Sequence, residues 1–164
     1  MDKYYYLVSQ LPVLFFDRDN PMRLDTFLEE AAKWLSPKDY SVLTSVHLSG
    51  ETPKKVPSVF AHFLETNREF KRELALWRQS KREGWEYKPQ SFPLSLVKEG
   101  NPLEVEKKLL KQSWMILDEQ EKDHHFDLGI LILYYLKLQI LEKLAIFEEE
   151  KGMEHFQKMS RVTL

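Results

Sequence analysis

The sequence contains no cysteine. That absence excludes disulfide scaffolds, thiol nucleophiles, thiolate zinc sites and iron–sulfur clusters, and it fits a reducing compartment. Glycine is almost as scarce, at five of 164 residues. A β-rich architecture needs many tight turns, and a phosphate-cradling loop needs clustered glycines. Neither G-x-G-x-x-G nor G-x-x-x-x-G-K-[ST] occurs. Long apolar runs are also missing. The longest, Ile130 to Leu136, falls well short of the ~18 residues that suggest a membrane span. Met1-Asp2-Lys3-Tyr4 has no basic region ahead of a clean apolar stretch, so it is not expected to act as a signal peptide. Finally, there is no excess of one charge. Lys and Arg number 24 against 26 Asp and Glu, a formal net charge of −2. Nothing in that balance points to nucleic acid as a partner.

What is present is apolar mass: 43% of the chain is hydrophobic and 13% aromatic, enough for the core of a single domain spanning residues 1–164. All eight prolines lie at or before Pro102, so the remainder is free to form long helix. Gly50, Gly84, Gly100 and Gly152 lie between periodic segments and read as helix ends. Tyr4 to Phe16 is open between a short helix and an extended piece. Asp25 is expected to cap a helix to about Leu35, with Phe27, Leu28, Ala31 and Leu35 on one face. Ser36-Pro37-Lys38-Asp39 reads as an N-cap, a proline at the first helical position and an acid at the third, opening a helix to about Leu48. After a loop over Gly50 to Lys55, Pro57 or Ser58 starts a long helix ending near Gly84. Its stripe is Phe60, Phe63, Leu64, Phe70, Leu74 and Trp77. Trp85 to Gly100, with Pro89 and Pro93, reads as an irregular connection. Asn101-Pro102-Leu103-Glu104 resembles a capping box and opens a helix to about Glu119. Asp127 caps the last helix, expected to stop at Gly152. It is apolar nearly all round from Leu128 to Leu136, then amphipathic, with Leu138, Leu141, Leu144 and Ala145 inward. The whole is predicted to be an all-α bundle of about five or six helices.

Candidate chemistry is sparse. Asp123-His124-His125-Phe126-Asp127 places two histidines beside two carboxylates, a combination able to bind a metal or move protons. Adjacent side chains do not share a helix face, however, and no H-E-x-x-H pattern supports them. A polar loop ending in the Asp127 cap is the preferred reading of this segment. No G-x-S-x-G elbow occurs, and His47, His62 and His155 stand alone. The third long segment bears Arg68, Lys71, Arg72, Arg78, Lys81 and Arg82 interleaved with Glu65, Glu69, Glu73 and Glu83. Most of this reads as a solvated, salt-bridged face. Arg78 and Lys81, though, continue the apolar stripe. With Arg82 and Trp85 they mark an expected partner-binding patch. No cofactor is called for by these residues.

Ordered through the chain are Lys3-Tyr4-Tyr5-Tyr6-Leu7-Val8 with Leu11-Pro12, Ser36-Pro37-Lys38-Asp39, Arg72-Glu73-Leu74-Ala75 and Asn101-Pro102-Leu103-Glu104-x-Glu106. They are followed by Trp114, Asp118-Glu119, Phe126-Asp127-Leu128, Tyr134-Tyr135-Leu136-Lys137-Leu138, Leu141-Glu142 and Phe147 through Gly152. This set resembles a bacterial family whose genes lie within operons for V-type (archaeal-type) ATPase. More distantly, Tyr135-Leu136 with Glu142 is similar to the late helix of the socket protein of the V-type ATPase, which joins the membrane rotor ring to the central stalk. The resemblance implies an all-helical, socket-like, non-catalytic protein. Its partners would be the central-stalk proteins and the membrane rotor ring, and it would lie in the cytoplasm, peripheral to the inner membrane. A free-standing adaptor or assembly factor for the ATPase is the alternative, and a small metalloenzyme using His124 and His125 is a third reading.

Overall fold

The computed structural model describes residues 4–48, 58–98 and 102–162. Among them there is no strand and there are seven helices: α1 (Tyr5–Gln10), α2 (Leu24–Trp34), α3 (Pro37–Thr44), α4 (Ser58–Glu83), α5 (Ser95–Lys98), α6 (Pro102–Glu121) and α7 (Leu128–Val162). The expected all-α bundle is therefore present, with α1 and α5 as short additions. The loop at 50–55, the start at Pro57 and the Asn101 cap lie outside the described residues. No described helix is long and apolar enough to cross a membrane.

The apolar run of α7 explains the arrangement. Leu131, Ile132, Leu133, Leu136, Leu138 and Ile140 are each essentially fully buried. A helix that is apolar around most of its circumference must be covered on several sides. The cover comes from α2, α3, α4 and α6, all of which pack on α7. Phe27 and Ala31 of α2, Leu43 of α3, Phe60 and Phe63 of α4, and Trp114 and Leu117 of α6 complete this core. A smaller second core lies at the far end of α4, where Phe70 and Leu74 meet Phe92, from the connection, and Val97 of α5.

Caps follow the sequence in two places. Ser36 Oγ accepts the Asp39 N–H at 3.2 Å, with Pro37 as the first residue of α3. Asp127 Oδ1 accepts the Ile130 N–H at 3.0 Å and opens α7. Four expectations need correction. Asp25 is not the cap of α2. Leu24 packs against the core and draws the first turn back, so Arg23 takes the cap position and Asp25 sits inside the first turn. Helix α3 ends at Thr44 rather than near Leu48. Thr44 Oγ1 and Ser45 Oγ donate back to the Tyr40 and Val42 carbonyls, and the Gln139 side chain takes over the next backbone groups. That amide accepts from Leu48 N–H at 3.0 Å and donates to the Val46 carbonyl at 3.1 Å. Gly152 does not stop α7, which continues to Val162. A helical glycine costs about 1 kcal/mol relative to alanine, and it ends a helix only by leaving the helical backbone. Ala145 is exposed, whereas Lys137 is buried. The irregular 85–100 connection also contains α5.

Tyr4 to Phe16 resolves into helix followed by extended chain: α1, then residues 11–15 lying along α7, where the Tyr134 hydroxyl donates to the Pro12 carbonyl at 2.7 Å. Burial pushes the Tyr134 hydroxyl pKa up.

Lys137 is 5% exposed in the otherwise apolar face of α7. Its ammonium pairs with Asp118 and, at 2.7 Å, with Glu121, and it stands 4.8 Å from the centre of the Trp114 ring. Both carboxylates belong to α6, so this cation fixes the α6–α7 register. Lys137→Met keeps most of the volume but leaves the partly exposed Asp118 and Glu121 without their cation, and is expected to lower the unfolding free energy by about 1–2 kcal/mol. Lys137→Ala removes the stem as well and should lower it by roughly 2–4 kcal/mol. Urea denaturation of the two variants checks the difference.

Candidate functional site

The residues expected to form a partner patch lie at the C-terminal end of α4. Lysine and arginine dominate its last two turns, and Gly84, with φ +79°, turns the chain out of the helix. The Gly84 and Trp85 N–H groups both bond the Ser80 carbonyl, at 2.8 and 3.1 Å. The buried face drifts around α4 here. Ser80 is buried and donates from its hydroxyl to the Trp77 carbonyl at 2.6 Å, while Arg78, Lys81 and Arg82 are exposed. The apolar stripe is therefore continued by Trp77 and Ser80, and Lys81 instead stands over the Trp77 ring, 5.7 Å from its centre.

Glu73 determines where the connection goes. In the sequence it reads as one of the solvated acids of α4, and this needs correcting: it is 4% exposed. Its Oε1 accepts from the Gln90 N–H at 2.8 Å and the Tyr87 hydroxyl at 3.2 Å. Its Oε2 accepts from the Ser91 N–H at 2.7 Å and also from the Ser91 hydroxyl. Burial opposes the charge, but the donors of Gln90, Ser91 and Tyr87 outweigh it and hold the carboxyl down at about 2. One residue beyond Ser91, Phe92 enters the small core edge-to-face with Phe70, ring centres 4.9 Å apart. One buried carboxylate and one buried ring thus pin a proline-containing segment that has little regular structure of its own.

Pinned this way, the connection closes an open cleft of about 420 Å³ against the end of α4. Lys81 and Trp85 line it, together with Trp77, Tyr87, Lys88 and Lys98. Trp85 is 40% exposed, packs edge-on to Tyr87 and donates its Nε1–H to Glu83 at 2.8 Å. Arg78 lies apart, on a second cleft of about 360 Å³ between α4, α6 and α7 that also includes Asn67, Glu106 and Lys143. Arg82 is exposed and lines neither cleft. Of the four expected residues, two are brought together. Lys88 and Lys98 were missed, since each follows a break in helical periodicity and no register relates them to α4.

The His124–His125 pair is not brought to one point. His124 Nδ1 lies 2.8 Å from Asp127 Oδ2, whereas His125 is exposed. Partial loss of water raises the pKa of the exposed Asp127, but the His124 ring and the Ile130 N–H prevail and hold it below its ordinary value. The described residues contain no group of three or more His, Cys, Asp or Glu arranged to hold a metal ion. The ring of His124 also rests on Gly129, where a Cβ would come within 2.4 Å of Nδ1. The cluster thus has a definite use, the closing of the first turn of α7.

No family model, curated protein or solved structure matches the chain.

Glu73→Gln, which keeps the shape and loses the charge, should lower stability by about 2 kcal/mol at neutral pH. Because the folded pKa lies below the ordinary 4.5, that difference should be complete above pH 4.5 and close as the pH falls through about 2. Denaturation across that pH range measures it. Gly129→Ala should destabilise by about 1 kcal/mol by displacing His124, despite alanine's better helix propensity. Combined with His124→Ala, the same change should be neutral or stabilising relative to His124→Ala alone, as thermal melts would show.

Proposed function

We propose that the chain is a non-catalytic helical protein that acts by binding, as a socket-like central-stalk or rotor-coupling component of a bacterial V-type ATPase. The observation that carries the binding reading is the Glu73 anchor. It holds an aromatic and cationic segment against the C-terminal half of α4. Pre-organised Trp, Tyr and basic side chains are the groups from which interface hot spots are built. Several other grouped polar residues are engaged within the fold: Lys137 with Asp118 and Glu121, His124 with Asp127, Gln139 with the residues after α3. The identity of the partner rests on the sequence resemblance, from the Tyr-rich opening to Tyr135-Leu136 and Glu142.

Affinity purification of the tagged chain from its own cells, in mild detergent, tests this proposal. Stalk proteins and the rotor ring should co-purify in stoichiometric amount, and Trp85→Ala should reduce their recovery several-fold. Recovery of none of them would overturn the assignment. Substoichiometric recovery would instead identify a transient assembly factor.

A further inference from the structure

The cleft at the end of α4 is charged in one direction, although the chain as a whole is slightly acidic. Lys81, Lys88 and Lys98 reach it from α4, from the connection and from α5. Among the described residues none of the three is in an ion pair, while lysines elsewhere on the surface, such as Lys33, Lys107 and Lys122, do pair. Glu86 is the single carboxylate on the lining, leaving an excess of two positive charges. The remaining lining is mainly aromatic, Trp77, Trp85 and Tyr87, with Ser80, Gly84 and Leu94. The Nε1–H of Trp77 is buried and has no acceptor among the described residues.

This pattern distinguishes among anionic occupants. A phosphate site converges backbone N–H groups or arginine forks on one point. Here the cations are point charges spread over three chain segments around flat rings, in a cleft open to solvent. That suits carboxylates distributed along a chain, with an apolar side chain between them. We propose that this cleft docks an acidic, leucine- or aromatic-containing segment of a partner protein, its carboxylates meeting Lys81, Lys88 and Lys98 and its apolar side chain lying against Trp85 and Tyr87. The proposal deepens the binding reading above and rests on it for the existence of a partner, not for the partner's chemistry.

The test uses the full chain and a fluorescently labelled synthetic peptide of alternating glutamate and leucine, read by anisotropy at low and high salt. Binding is expected at low salt, weakening as salt rises, and roughly tenfold weaker for the glutamine–leucine peptide of the same length. The combined Lys81→Ala, Lys88→Ala and Lys98→Ala variant should weaken the acidic peptide by roughly tenfold or more. Trp85→Ala should do so several-fold with its circular dichroism unchanged. Since the three lysines are exposed, the triple variant is expected to fold as the parent does. Equal affinity for the two peptides, or an unaltered affinity in the triple variant, overturns the proposal. So does lysine-dependent binding of phosphatidylserine vesicles or of inorganic phosphate without binding of the peptide. The outcomes separate the two readings. Stalk proteins recovered with the parent chain but no peptide binding would sink this inference alone. Peptide binding without stalk proteins would sink only the ATPase assignment.

Discussion

The larger core of this molecule is arranged around the need to cover α7. A helix with buried side chains on nearly every side between Leu131 and Leu144 cannot lie at a surface, and each of its large residues is worth about 1.5–3 kcal/mol when removed from water. Four other helices are placed by that demand. Their own stripes, such as Phe27 and Ala31 or Phe60 and Phe63, are complementary halves of the same core. The core is rich in interleaved aromatic rings: Phe27 meets both Tyr134 and Tyr135, and Phe16 meets Trp114.

Apolar burial sets which helices meet, but it is non-directional, and a small number of polar groups set the register. Lys137 ties α7 to α6 through Asp118 and Glu121. Gln139 holds the chain leaving α3, Tyr134 holds the extended residues before α2, and Glu73 holds the connection after α4. Each is a long side chain, from α4 or α7, that satisfies charged groups or backbone lacking secondary structure. Irregular chain carries unpaired N–H and C=O groups, and these staples are where several of them go. The consequence for binding is that the 85–98 segment, though irregular, presents Trp85 and Tyr87 in a defined place.

The residues on which the proposed ATPase link rests are of both kinds, interior and exposed. Trp114, Tyr135, Leu136 and Leu138 are in the core, Asp118 and Lys137 pair across α6 and α7, and Ser36 caps α3. Such residues specify how helices pack. Partner choice is written in exposed residues, and those at the end of α4 carry little of the resemblance.

Taken alone, the sequence determined the helical class, the Ser36 and Asp127 caps, the centrality of the last helix and the expectation that the far end of α4 meets something other than apolar core. All of these depend on local spacing: periods of 3.6, a capping side chain within three residues, an apolar run. What only the tertiary structure decided depends on partners far apart in the chain. Glu73 and Lys137 look like surface charges by period, and both are buried because segments 14 to 19 residues away close over them. The joining of Lys88 and Lys98 to Lys81 and Trp85 is of the same kind. An irregular connection has no period from which to project a direction, so its course is set by the carboxylate that binds it.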